Sequence, residues 1–279
     1  MMDTLDTAVR RAMEDAAERA ILPRFRSDAL GDVHYKTPGE AVTAADRESE
    51  LILSEALAPL IPGAAIVGEE SAHADPDSLR RLGSGTTWII DPLDGTGYFA
   101  AGTGPFGIIV ALAVDGIPER GWILDPRSRR FCVARRGDGA MIDDAPIISP
   151  PMSVGARPVV ALTQLFAEPA MRTAFVTALT AGCDVVDSPR CAADQYPRVV
   201  QGRHDATLFT RTIAWDHAAG VLFANEAGAA ALRPDGTAYR CDDPDGGLIL
   251  AACPQRWDMI AGRINDAGLR LAGGHLQGP

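Results

Sequence analysis

The apolar run Trp88-Ile89-Ile90 ends abruptly in Asp91-Pro92-Leu93-Asp94-Gly95-Thr96. Two carboxylates, a glycine and a hydroxyl thus lie close together, which is the composition of a metal and phosphate site. With Leu93 between them, Asp91 and Asp94 can turn toward one point that the Leu93 carbonyl also faces, and hard divalent cations take oxygen ligands of this kind. Gly95 lets a ligand approach the backbone, and Thr96 can open a helix whose first N–H groups point at a phosphate. A surface Asp-Gly turn after a strand is the ordinary alternative. The longer string Asp-Pro-x-Asp-Gly-Thr recurs by chance in roughly one of ten thousand chains of this length, so it is read as a site.

These residues need elements to hold them. Trp88 to Ile90 read as the end of a buried strand, and Pro92 has no N–H for the ladder, so pairing should stop there. Residues 64–67 make a second strand that ends at Glu69 and Glu70, another carboxylate pair at a strand end. Leu5, Val9, Met13, Ala16 and Ala20 recur at helical spacing and predict an amphipathic helix over 3–21. Thr43 and Asp46 have the spacing of a capping box, opening a helix through Leu51, Leu53 and Leu57 toward Pro62-Gly63. Residues 107–113, 121–124 and 131–134 predict antiparallel strands, with a hairpin turn at Asp115-Gly116.

After Pro151 the pattern alternates: strand 158–163, helix 168–181, strand 184–187, helix 191–201, strand 205–209, helix 216–227, strand 248–252 and a last helix from 254 to about 271. Alternating units imply helices covering a sheet. The Ser149-Pro-Pro-Met-Ser153 segment is the expected boundary between an α+β half, 1–150, and an α/β half, 151–279.

The motifs resemble those of the inositol monophosphatase family: Asp91-Pro-Leu-Asp-Gly-Thr96 after Trp88-Ile-Ile, Gly68-Glu69-Glu70 upstream, and Trp215-Asp216 followed by Ala218-Ala219-Gly220 and Glu226-Ala227-Gly228. The order and spacing hold from about Val33 to the end. The resemblance implies a Mg-dependent, lithium-sensitive phosphatase related to fructose-1,6-bisphosphatases and bisphosphate nucleotidases. Its fold would be a layered α-β-α-β-α sandwich with the active site between the halves. It also implies two to three Mg²⁺ ions and a homodimer. By the family pattern Glu69, Asp91 and the Leu93 carbonyl hold the first metal, and Asp91, Asp94 and Asp216 the second. Thr96 would hydrogen-bond the attacking water, Asp46 would orient Thr96, and the Gly95 and Thr96 amides would cradle the phosphate. For Asp46 a helix cap and a catalytic orienter are equal alternatives on sequence. Lys36 falls near the family's first loop, Glu70 is either a support for a ligand or an exposed acid, and His217 reads as packing rather than a base.

Substrate recognition departs from the family. Gly95-Thr96-Gly97-Tyr98-Phe99 stands where inositol-specific members have Gly-Thr-Thr-Asn-Phe, and Arg190-Cys191-Ala192-Ala193 replaces a Gly-Ser-Ala-Ala type segment. The acidic residue that contacts an inositol hydroxyl falls near Phe209, which cannot accept a hydrogen bond. Arg190 and Arg211 could meet a second anionic group, with Tyr98, Phe209 or Tyr196 stacking on a base. Alternatively, both arginines are surface residues and Phe209 is core. The expected substrate is an inositol-1-phosphate-like ester; a 3′(2′),5′-bisphosphate nucleotide and a sugar or histidinol phosphate are the alternatives. A binding or regulatory protein with a vestigial site predicts decayed ligands, whereas Glu69, Asp91, Asp94, Thr96 and Asp216 are all present.

Composition bounds the rest. A chain of 279 residues, 47% hydrophobic, can bury one large core or two fused halves. A net charge of −11 argues against nucleic acid as a partner. The one dense basic cluster, Arg127, Arg129, Arg130, Arg135 and Arg136, reads as solvated hairpin edges. Five widely spaced cysteines predict reduced thiols in a cytoplasmic protein, and no apolar run is long enough to span a bilayer.

Overall fold

The computed structural model describes residues 2–26, 34–37, 40–152, 155, 157–163 and 169–271. A hairpin of β1 (His34–Thr37) and β2 (Glu40–Val42) precedes two larger sheets. The first sheet takes its strands in chain order: β3 (Ala65–Gly68), β4 (Thr86–Asp94), β5 (Gly107–Val114), β6 (Ile117–Asp125), β7 (Arg130–Arg135), β8 (Gly139–Ile142) and β9 (Ala145–Ile147). The second contains β10 (Val159–Leu162), β11 (Asp184–Asp187), β12 (Ala206–Phe209), β13 (Ala230–Leu232) and β14 (Leu248–Ala251), in the order β11-β10-β12-β14-β13. Eight α-helices accompany them among the described residues: α1 (Thr4–Ala16), α2 (Ala44–Leu57), α3 (Glu69–Ala74), α4 (Thr96–Ala100), α5 (Pro169–Thr180), α6 (Ala192–Val200), α7 (Ala214–Glu226) and α8 (Pro254–Asp266).

Strand alternation sorts the side chains into layers. Trp88 and Ile90 of β4, with Ile108, Val110 and Leu112 of β5, face the helices α1 and α2. Ile89, Ile109, Ala111 and Ala113 point the other way, onto α6 and α7. The opposite side of α6 and α7 meets Phe209, Leu248 and Leu250 of the second sheet, whose other face carries Ala206, Leu208 and Ile249 against α5 and α8. The result is the α-β-α-β-α sandwich. Close approach of the middle layer depends on small residues: a Cβ on Gly121 of β6 would lie 2.7 Å from Ala219 Cα of α7, and one on Gly220 would lie 2.2 Å from the Tyr196 ring.

Several expectations change in detail. The ladder does not stop at Pro92. Asp91 pairs with Ile109, the strand bulges over Pro92 and Leu93, and pairing resumes at Asp94 opposite Gly107. Within the bulge the Leu93 N–H donates to Asp91 Oδ1 at 3.1 Å instead of to a neighbouring strand. The first sheet is not wholly antiparallel, because α3 and the 3₁₀ segment Pro76–Gly83 return the chain so that β3 and β4 run parallel. The last helix ends at Asp266 rather than near 271, where Gly268 takes a left-handed φ of +66°. The first α-helix ends at Ala16 and continues as a wider turn over Ala17–Ile21.

The arginine cluster is not simply solvated. Arg135 Nε donates to Asp6 Oδ2 at 3.1 Å, and Asp6 is fully buried and also accepts from Trp122 Nε1 at 3.1 Å. Together these bonds tie α1 to the sheet. Arg130 reaches the Ala193 carbonyl at 3.4 Å, while Arg129 remains on the surface, paired with Glu18 at 3.0 Å. No helix among the described residues is long and apolar enough to cross a membrane.

Candidate active site

Three chain segments carry the acidic residues to one place. Glu69 is the first residue of α3, directly after β3; Asp91 and Asp94 flank the bulge of β4; Asp216 lies in the first turn of α7, where the helix dipole favours a carboxylate. Because β3 and β4 are parallel neighbours, their chain ends emerge side by side, and α7 crosses beneath them from the middle layer. Asp91 is buried at 2 % exposure, whereas Glu69, Asp94 and Asp216 keep an edge open to solvent.

Asp94 is fixed by a contact that the sequence does not announce. Its Oδ2 accepts the Ala193 N–H of the first turn of α6 at 2.6 Å, so the Arg190-Cys191-Ala192-Ala193 segment abuts the acidic cluster. Cys191 lies alongside, its Sγ 3.9 Å from the Asp94 carbonyl. Gly95 caps α4 with φ +83°, and a Cβ there would sit 2.6 Å from the Pro105 carbonyl, so both conformation and space require glycine.

Asp46 makes the contacts that both of its alternatives call for. Its Oδ2 accepts the Thr43 N–H at 2.7 Å and the Thr43 hydroxyl at 2.7 Å, completing the box that starts α2. Its Oδ1 accepts from Thr96 Oγ1 at 2.9 Å, and the Leu93 carbonyl lies 2.8 Å from the same hydroxyl. Thr96, Leu93 and Asp46 therefore form one polar unit at the edge of the carboxylate cluster.

The electrostatics are dominated by anions crowded out of water. Desolvation, then the charges of Glu69, Asp94 and Asp216, push the Asp91 carboxyl well above its ordinary value. Desolvation raises Asp94 to about 7, against the pull of the Ala193 N–H, with Glu69 adding to the rise. Asp216 is raised by desolvation, Asp94 and Glu69, with Arg211 acting in the opposite sense and a hydrogen bond linking it to Asp91. Asp46 is raised to about 7, first by burial, with its Thr43 hydrogen bonds opposing. Among the described residues no three of these side chains converge on one point at ligand distances. Instead, Asp94 accepts the Ala193 N–H, Asp91 accepts the Leu93 N–H, and Asp216 is hydrogen-bonded to Asp91. As a donor set, all-oxygen ligands with mutual repulsion and a solvent edge fit a hard divalent cation that keeps several waters.

The remaining sequence candidates separate into wall and core. Arg190 and Arg211 are exposed, Arg190 before α6 and Arg211 between β12 and α7. Phe209 is buried, stacked on Tyr196 with centroids 5.4 Å apart and edge-on to His217 at 4.7 Å. Tyr196 is wholly buried, which removes it as a stacking platform for a base. His217 is a packing residue: Tyr196 Oη lies 2.8 Å from its Nδ1, and the ring also bonds the Arg211 main chain. Burial pushes its pKa down to about 3, so it stays neutral. Lys36 belongs to β1, and its side chain lies outside the described residues.

A family model for the inositol monophosphatase family matches residues 1–268. The chain belongs to the inositol monophosphatase family. An inositol-1-monophosphatase of Mycobacterium leprae is 34% identical over 233 residues, covering 80% of this chain and 78% of the relative. A histidinol-phosphatase of Mycobacterium tuberculosis is 30% identical over 271 residues, covering 93% and 98%. Among solved structures, the extragenic suppressor protein suhB from Bartonella henselae superimposes with a TM-score of 0.81 at 23% identity, over 94% of this chain and 98% of that one. Such a family member is a phosphatase with the layered sandwich fold. Two features of this one were not legible in its motifs: the α6 contact to Asp94, and the buried Glu50, whose carboxylate accepts the Glu70 and Ser71 N–H groups. A buried acid four residues after Asp46 on one helix face was the available signal for the second.

Proposed function

We propose that this chain is a Mg²⁺-dependent phosphomonoesterase acting on a small, inositol-1-phosphate-like ester. The observation that carries the reading is the gathering of Glu69, Asp91, Asp94 and Asp216 from three separate segments into one electrostatically coupled cluster beside Thr96. Those four side chains and the Leu93 carbonyl would hold two to three Mg²⁺ ions. Bound there, the cation supplies Lewis acidity, neutralising phosphoryl oxygens and lowering the pKa of water.

The protein's own groups do the orienting. Thr43 occupies Asp46 Oδ2, which leaves Oδ1 and the Leu93 carbonyl to take the single proton of the Thr96 hydroxyl. With that proton committed, Thr96 offers its lone pairs to a water and fixes the direction of attack. The Gly95 and Thr96 amides, at the turn into α4, would receive phosphate oxygens, and Arg211 and Arg190 would bear on the rest of the ester. His217 takes no part as a base, because its ring is buried and bonded on two sides.

Phe209 favours a second reading of the substrate. With Phe209 buried against Tyr196 and His217, position 209 supplies no acceptor to a polyol ring, and the relative matching 98% of its own length is named a histidinol-phosphatase. The test is phosphate release with Mg²⁺ from inositol 1-phosphate, histidinol phosphate and adenosine 3′,5′-bisphosphate. Release that needs Mg²⁺ and falls by about a hundredfold in kcat with Thr96→Ala supports the enzyme, and the preferred ester names the substrate. No release from any ester by a chain that binds Mg²⁺ would replace it with a binding protein on the same fold.

A further inference from the structure

Three buried polar residues on one face of α2 grip two of the three segments that carry the acidic cluster, the β4–α4 stretch and the start of α3. Asp46 takes the Thr96 hydroxyl at 2.9 Å. Ser49, fully buried, donates its hydroxyl to the Pro92 carbonyl at 2.8 Å, in the middle of the bulge between Asp91 and Asp94. Glu50, 7 % exposed, accepts the N–H of Glu70 at 2.7 Å on Oε2 and that of Ser71 at 2.8 Å on Oε1. Positions 46, 49 and 50 are related by three and four residues, so one helical stripe makes all of these contacts.

The Glu50 contact replaces an ordinary helix cap. The residue before α3 is Gly68, which has no side chain to satisfy the first N–H groups, and Glu50 supplies both oxygens from a different helix. Gly68 must be glycine for that reason: its φ of −103° suits any residue, but a Cβ would stand 2.3 Å from Glu50 Cδ. The helix so capped begins with Glu69.

We propose that Ser49 and Glu50 are positioning residues, and that α2 acts as a rigid bar setting the distance between Glu69 and the Asp91–Asp94 bulge. This rests on the cluster being the cation site proposed above. Neither residue reaches the cluster centre itself; both hold main chain next to residues that do, Ser49 at Pro92 between Asp91 and Asp94, and Glu50 at Glu70 and Ser71 after Glu69. Groups that orient ligands in this way are worth about ten- to a hundredfold in metal affinity.

The experiment is Mg²⁺ and Mn²⁺ titration by calorimetry on the full chain without substrate, with steady-state kinetics and thermal unfolding in EDTA alongside. Glu50→Gln keeps the shape but only one acceptor oxygen, and its dissociation constant for the cation rises by about tenfold or more. Ser49→Ala gives a smaller rise in the same direction. Gly68→Ala displaces the Glu50 carboxylate without altering it, so it matches Glu50→Gln, and the double variant loses little beyond either single one. Glu48→Gln, on the same helix but turned toward Arg24, leaves affinity unchanged. If Ser49→Ala, Gly68→Ala and Glu50→Gln lower the melting temperature but bind the cation as the wild type does, the contacts are merely structural and the proposal is overturned. If the wild type binds neither cation, the proposed function falls, and this proposal with it.

Discussion

Replacing Asp94 by asparagine should stabilise the metal-free protein at the same time as it destroys the site. In the folded chain Asp94 is raised from 3.8 to about 7, so above neutrality the fold carries a charge that it would prefer not to hold. A shift of that size is worth roughly 4 kcal/mol undiluted, at 1.36 kcal/mol per pKa unit. Solvent screening at the open edge of Asp94 reduces it to about 2 kcal/mol. Asparagine keeps an oxygen for the Ala193 N–H and removes the charge. The sign follows from linkage: between 3.8 and about 7 the folded carboxyl keeps a proton that the unfolded one has released, so its destabilising effect grows as pH rises through that window and is then constant. Thermal unfolding in EDTA should therefore give Asp94→Asn a melting temperature about 4 °C above wild type at pH 8, shrinking toward zero at pH 4. Excess Mg²⁺ at pH 8 should raise the wild type and leave the variant unmoved. A variant less stable than wild type at pH 8 in EDTA, or a gap that does not change with pH, would refute the picture of a strained anionic cluster.

Two further outcomes follow from the packing. Gly220→Ala drives a methyl to 2.2 Å from the Tyr196 ring, which is itself stacked on Phe209, so chemical denaturation should show a loss of about 1–3 kcal/mol. All five cysteines are buried and unpaired, and desolvation raises Cys132 and Cys241 to about 12. Ellman's reagent should label the native protein only as fast as it opens, and all five thiols at once in guanidinium; a rapid native phase would show that one thiol is accessible.

What could be read from neighbouring residues was read well. The Gly95 turn into a helix at Thr96, the Thr43–Asp46 box and strand 184–187 each depend on side chains a few positions apart, and all three stand as local structure. The short strands β8, β9 and β13 were not visible, because three or four residues carry no usable period. The parallel pairing of β3 and β4 depends on how the intervening α3 and 3₁₀ segment fold back, which alternation within either strand does not encode.

The same division runs through the site. By itself the sequence determined the inventory: which carboxylates exist, that a glycine and a threonine follow them, and that the chain belongs with a family of phosphatases. Tertiary structure decided how the inventory is held. Glu50 reaches Glu70 across 20 positions, Ser49 reaches Pro92 across 43, and Asp94 receives the Ala193 N–H across 99. Tyr196 and His217, each readable as a functional ring, became packing partners once α6 and α7 met between the sheets. Local spacing reports the few residues within reach of one another along the chain. Hydrogen bonds that position a site join groups made neighbours by burial of the three apolar layers, and only the packed fold specifies which groups those are.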